Sequence, residues 1–107
     1  MIRVIFTVES GIITGFELRG HAGYADTGSD IVCAAVSSAA YMTANTLTEV
    51  AALPCTVTEE DGHMQLCLSQ NDAKDAAAQT VLNGFLLHLN ALGEAYADCI
   101  DIKISEV

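Results

Sequence analysis

Positive charge is scarce in this sequence. Among 107 residues only Arg3, Arg19, Lys74 and Lys103 are basic, against 14 acids, for a formal net charge of −10. The four are scattered, so no basic stripe is available to follow a phosphate backbone. Neither nucleic acid nor an anionic membrane surface is an expected partner. A basic protein or peptide suits the charge better, although acidity alone also serves plain solubility. Long apolar runs are missing too. A membrane span needs about 18 such residues, but Ser37 and Ser38 interrupt one candidate run, and Asn83, Gly84 and His88 interrupt the other. The N-terminus, MIRVIFTVESG, has one arginine, a short apolar run and no small-residue cleavage site. It reads as a strand rather than a signal peptide, and the expected location is the cytoplasm.

No two cysteines form a C-x-x-C pair. They stand at Cys33, Cys55, Cys67 and Cys99, a spacing that does not suit zinc, and a reducing compartment disfavours structural disulfides. Cys55, Cys67 and Cys99 fall in strand-like segments and are expected to fill the core as small hydrophobes. Repeats, linkers and low-complexity tracts are absent, so residues 1–107 read as one domain. With 51% hydrophobic and 17% charged residues, the chain has material for a core and lacks the profile of disorder.

What is present reads as ββαββαβ. Ile2, Val4, Phe6 and Val8 alternate with Arg3 and Thr7, Ser10-Gly11 turns the chain, and Ile12 to Arg19 alternates again with Ile12, Phe16 and Leu18 inward. This predicts a β-hairpin. A glycine-rich break, GHAGYADTGSD, leads to a helix from Asp30 to about Ala51, capped by Ser29 or Asp30. A second hairpin follows, Cys55 to Glu60 and His63 to Ser69, turning at Asp61-Gly62. Asn71 or Asp72 is expected to cap the second helix, whose stripe Ala78, Val81, Leu82, Phe85, Leu89 and Leu92 has helical spacing. The last strand, Cys99 to Ser105, turns Ile100, Ile102 and Ile104 to the core. The class is α+β, a sheet of about five strands with both helices on one face.

Cys33 falls in the first turn of the first helix, just after the glycine-rich break. Free N–H groups and the helix dipole favour negative charge on a sulfur placed there. His21 ends the second strand, and the loop between can fold its imidazole toward the sulfur. A Cys–His pair of this kind needs the two groups within reach and a third group orienting the base. The same positions also suit plain packing for the cysteine and plain exposure for the histidine. His63, beside a turn, reads as a surface residue, and His88 as part of an amphipathic face. Asp30 and Ser37 share the helix face of Cys33, three residues before it and four after it. The like charge of Asp30 opposes ionisation of the thiol, so it fits better as a cap, or as an acceptor orienting the loop or His21. Ser37 can bond the sulfur or its own backbone.

The run Gly20-His21-Ala22, a short glycine-containing loop, then Gly28-Ser29-Asp30-Ile31-Val32-Cys33-Ala34-Ala35-Val36-Ser37 resembles the ribosomal-processing cysteine protease family, called Prp. Element order and length agree, so the resemblance covers the whole chain. It implies an endopeptidase that removes a short N-terminal extension from large-subunit ribosomal protein number twenty-seven in certain bacteria. It also implies a homodimer without a cofactor or metal, with Cys33 as nucleophile and His21 as proton acceptor. Asp30 and Ser37 match the motif in supporting positions. For the oxyanion, the expected donors are the N–H of Cys33 and one from the loop around Gly20, with Gly28 at the loop's far end. The rival readings are an acidic, non-catalytic ribosome-associated binding or assembly factor, and a redox-sensing thiol.

Overall fold

In the computed structural model, which describes residues 1–26 and 28–107, the element order is the expected one with a short helix added. Thr27, inside the glycine-rich break, lies outside the described residues. Strands β1 (Ile2–Glu9) and β2 (Ile12–Arg19) lead to helix α1 (Ile31–Asn45), which continues as one π-helical stretch, Thr46–Val50. Strands β3 (Thr56–Glu60) and β4 (His63–Cys67) follow, then helices α2 (Gln70–Ala73) and α3 (Ala76–Ala95), and strand β5 (Ile100–Glu106). The strands form one mixed sheet in the order β3-β4-β2-β1-β5. Only β1 and β5 run parallel, with Ile2 opposite Ile100 and Val4 opposite Ile102.

One sheet face carries the core. Val4, Phe6, Phe16, Leu18 and Leu66 lie under Val32, Val36 and Ala40 of α1 and Leu82, Phe85 and Leu89 of α3, all of them buried. Each of these Val, Leu and Phe side chains stabilises the fold by about 1.5–3 kcal/mol when fully buried. Phe6, Phe16 and Phe85 form an aromatic cluster with centroids 4.9–6.1 Å apart, a spacing favourable to tilted and edge contacts. By length and composition, Ile31–Val50 could cross a membrane, despite its two serines (20 residues, mean hydropathy 1.2). Here its Val32, Val36, Ala40, Ala44 and Leu47 are buried in the core.

Several expectations need correction. A bulge separates the Thr7–Gly15 and Val8–Ile13 pairs, so Ile13 is buried rather than Ile12, which is only half-buried. The extra residue moves the alternation by one. Gln79 of α3 meets the bulge, its amide nitrogen donating to the Ile13 carbonyl at 2.8 Å and its oxygen accepting from Ile13 N–H at 3.1 Å. The second helix is capped by neither Asn71 nor Asp72. Ser69 caps α2, Asp75 caps α3, and the chain breaks between them. Cys99 is buried and Cys55 half-buried, but Cys67 is exposed, because it shares the outer face of β4 with Gln65. Burial pushes the Cys55 thiol up, with the nearby Asp72 and Cys67 adding to the rise. At the far end of β5, Ile104 is 49% exposed, since the edge strand outruns the helical cover.

Candidate active site

The first helix begins at Asp30, whose carboxylate faces two ways. Its Oδ1 accepts from Val32 N–H at 2.9 Å and Cys33 N–H at 3.0 Å, which satisfies donors that a helix start leaves free. Its Oδ2 accepts from Tyr24 N–H at 2.9 Å and Ala25 N–H at 3.3 Å. One buried carboxylate therefore ties the glycine-rich loop to the helix. Desolvation opposes its ionisation, but the N–H groups of Cys33, Ala25, Tyr24 and Val32 outweigh that and hold the carboxyl below its usual range. Tyr24 also packs edge-on against Tyr96 beyond α3, at 5.6 Å between centroids.

With the loop held this way, Ala22 N–H donates to Cys33 Sγ at 3.1 Å. The sulfur is half-buried and lies where two grooves meet. One groove, of about 430 Å³, runs between α1 and the β3–β4 hairpin, past Tyr41, Glu59, Glu60, Asp61 and His63. The other, of about 480 Å³, lies under the loop, past Gly23, Asp26, Gly28 and Asp30. His21, Cys33 and Ser37 line both. The structure thus places these three along both grooves, and Asp30 lines the second.

The amides around the sulfur have these partners. Cys33 N–H is bonded to Asp30, and Gly20 N–H donates to the Gly62 carbonyl at 2.9 Å. Ala22 supplies the amide that faces the sulfur. Gly20 has a second structural reason to be glycine: at φ +88°, an added Cβ would come within 2.7 Å of the Met1 carbonyl oxygen. Gly28 also has a positive φ and borders the lower groove.

Sequence reading missed the opposite wall. Glu59, Glu60 and Asp61 reach the groove because β4 pairs with β2, with Arg19 opposite His63, a pairing that hydrophobic alternation does not specify. His63 is half-buried, and its Nε2 lies 3.2 Å from Glu17 Oε2. Arg19 Nε donates to the same carboxylate at 2.8 Å, and the Arg19 and His63 bonds hold the Glu17 carboxyl below its usual range. The Tyr41 hydroxyl donates to Glu59 and joins α1 to β3, a bond that raises the phenol's pKa. His88 is exposed on α3, away from both grooves. Among the described residues, no group of three or more His, Cys, Asp or Glu is placed to hold a metal ion.

A cysteine at a helix start that shares an open groove with a histidine has the parts of a thiol hydrolase. Residues 1–101 match the family model described as cysteine protease Prp. The chain belongs to the Prp cysteine protease family. It is 28% identical over 104 residues to the ribosomal processing cysteine protease Prp of Staphylococcus aureus, covering 96% of this chain and 98% of that one. The Bacillus subtilis Prp is 29% identical over 94 residues, covering 84% and 83% of the two chains. The crystal structure of the Staphylococcus aureus Prp with a covalently linked product peptide superposes with a TM-score of 0.91 at 27% identity, over 98% of this chain and 100% of that one. Membership makes this chain a cysteine peptidase and weighs against the non-catalytic reading.

Proposed function

We propose that this peptidase removes the N-terminal extension of large-subunit ribosomal protein number twenty-seven, with Cys33 as nucleophile and His21 as base. The observation that carries the reading is the shared lining: Cys33, at the start of α1, and His21 each border both grooves. A trough of this form suits an extended peptide laid across the sulfur. The relative from Staphylococcus aureus is a ribosomal processing protease that holds a product peptide covalently, which supports the same substrate class here.

In this mechanism His21 accepts the Cys33 proton, and the sulfur attacks the scissile carbonyl. The carbonyl π electrons move to oxygen, and Ala22 N–H, the amide bonded to the sulfur, is the donor placed to meet it. Collapse of the adduct breaks the C–N bond, and His21 returns its proton to the leaving amine. Water then hydrolyses the thioester and restores the thiol. Asp30 holds the loop that carries Ala22, and Ser37 lines the trough one turn beyond Cys33. The part of the loop just beyond Ala22 moves to admit and cover the peptide. The acidic wall Glu59-Glu60-Asp61 steers a basic substrate more than it adds affinity. The reading includes a cytoplasmic homodimer that needs no cofactor.

The test is incubation with the full-length precursor of that ribosomal protein, followed by intact-mass measurement. The wild-type protein is expected to shorten the precursor by its N-terminal extension. Cys33→Ala is expected to lower the rate by at least about 10⁴-fold, with folding and peptide binding kept. Cleavage retained in Cys33→Ala removes the nucleophile assignment.

A further inference from the structure

We propose that Gly62, in the β3–β4 turn, is a positioning residue for His21. The inference rests on the reading of His21 as the base. It concerns the third group of a Cys–His site, which fixes the imidazole.

Gly62 touches the histidine region twice. Its carbonyl accepts from Gly20 N–H at 2.9 Å, which fixes the main chain immediately before His21. Its bare Cα receives the ring: a Cβ added at Gly62 would lie 3.3 Å from His21 Nε2 and 3.8 Å from Cε1. The first distance is tighter than an ordinary carbon contact, so any side chain there displaces the imidazole. His21 is otherwise exposed, and a base free to rotate loses the orientation that catalysis needs. The seat belongs to the sheet rather than to the loop, because the neighbouring His63 is in register with Arg19. When the loop beyond Ala22 moves to admit a peptide, His21 keeps both its anchor and its rest.

A matched control exists in the same fold. Gly11, in the β1–β2 turn, has φ +81°, close to the +70° of Gly62, but an added Cβ there meets nothing within 4 Å. Substituting either glycine strains the backbone similarly, while only position 62 faces His21. Asparagine tolerates a positive φ better than alanine and is larger, so Ala and Asn form a graded pair. On the ribosomal precursor, Gly62→Ala is expected to lower kcat by roughly threefold and Gly62→Asn by tenfold or more, with KM within about twofold of wild type. Gly11→Ala and Gly11→Asn are expected to keep kcat within about twofold while losing similar thermal stability.

A second measurement reads the coupling directly through the rate of Cys33 alkylation by iodoacetamide. Gly62→Asn is expected to change that rate when His21 is present and to leave it unchanged in a His21→Ala background. The proposal is overturned if the Gly62 variants track the Gly11 variants, if the whole loss lies in KM, or if the Gly62 effect persists without His21. Cleavage retained by Cys33→Ala sinks the protease mechanism and this inference with it. An inactive Cys33→Ala, with Gly62 variants matching the Gly11 controls, sinks the seat alone.

Discussion

Helices α1 and α3 start on the same cap. Asp30 Oδ1 accepts from Val32 and Cys33 N–H, and Asp75 Oδ1 accepts from Ala77 and Ala78 N–H at 2.9 and 3.3 Å. Cys33 and Ala78 therefore occupy equivalent positions, each three residues after a capping aspartate. Ala78 is wholly buried in the core, whereas Cys33 opens onto the grooves. The second carboxylate oxygen separates the two junctions further. On Asp30 it gathers Tyr24 and Ala25 N–H from an eleven-residue connection, while Asp75 is exposed and caps only its own helix. A cap is ordinary helix chemistry. A cap that also binds the loop whose Ala22 N–H meets a thiol couples the helix start to that loop.

The sharpest way to break this comparison is to remove each carboxylate in turn. Asp30→Ala frees Tyr24 and Ala25 N–H, and Ala22 N–H then loses its register on Cys33 Sγ. Cleavage of the ribosomal precursor, read as kcat/KM, is expected to fall by roughly tenfold to a hundredfold, and Tm by roughly 5–10 °C. If kcat/KM in Asp30→Ala stays within twofold while Tm falls, the two caps are equivalent and the second oxygen does nothing for the reaction.

Much of this contrast was legible in the sequence. The two hairpins, the cap at Asp30, the placement of Cys33 in a first turn and the inward stripe of α3 all follow from local patterns of period 2 or 3.6 and from turn chemistry. The Gly20-His21-Ala22 and Asp30-to-Ser37 runs carried the family resemblance, which the family match bears out. What stayed hidden depends on contacts between segments far apart in sequence. The pairing of β4 with β2 decides that Gly62 meets His21 and that Glu59 faces Tyr41, and no local pattern encodes it. The bulge at Thr14 shifted the inward residue from Ile12 to Ile13, because one extra residue reverses a period-2 reading. Which loop amide faces the sulfur was not legible either: it is that of Ala22. The capping aspartate takes up the Cys33 amide, as a side chain at the N-cap does for the amide three residues on.

Acid titration sharpens the comparison next. The Asp30 carboxyl is held below its usual range by four backbone N–H groups. Its stabilising contribution is then fully present above the unfolded-state carboxyl pKa of about 3.9, and is lost as pH falls through the lower folded value. Within that window the unfolded chain binds more protons, so stability rises with pH. Asp30→Asn is expected to flatten the slope of Tm against pH below about pH 4, measured by thermal melts from pH 2 to 6. An unchanged slope removes Asp30 from the acid response.

The smallest effect is expected at the second cap. Asp75→Ala removes one acceptor from an exposed helix start, and such losses cost about 0.5–2 kcal/mol. Solvent can take over part of the work, because Ala76 and Ala77 are exposed beside it. Cleavage is expected to remain within twofold of wild type, since neither groove is lined by Asp75 or its bonded neighbours. Urea unfolding monitored by circular dichroism supplies the stability, and the precursor assay supplies the rate. A loss of activity matching that of Asp30→Ala means that α3 sets the position of the site through Gln79, Phe85 and Tyr96, which reach β2 and the loop from that helix and its end. A loss of stability alone leaves α3 as support, and puts the chemistry in the one junction where a cap also holds a loop.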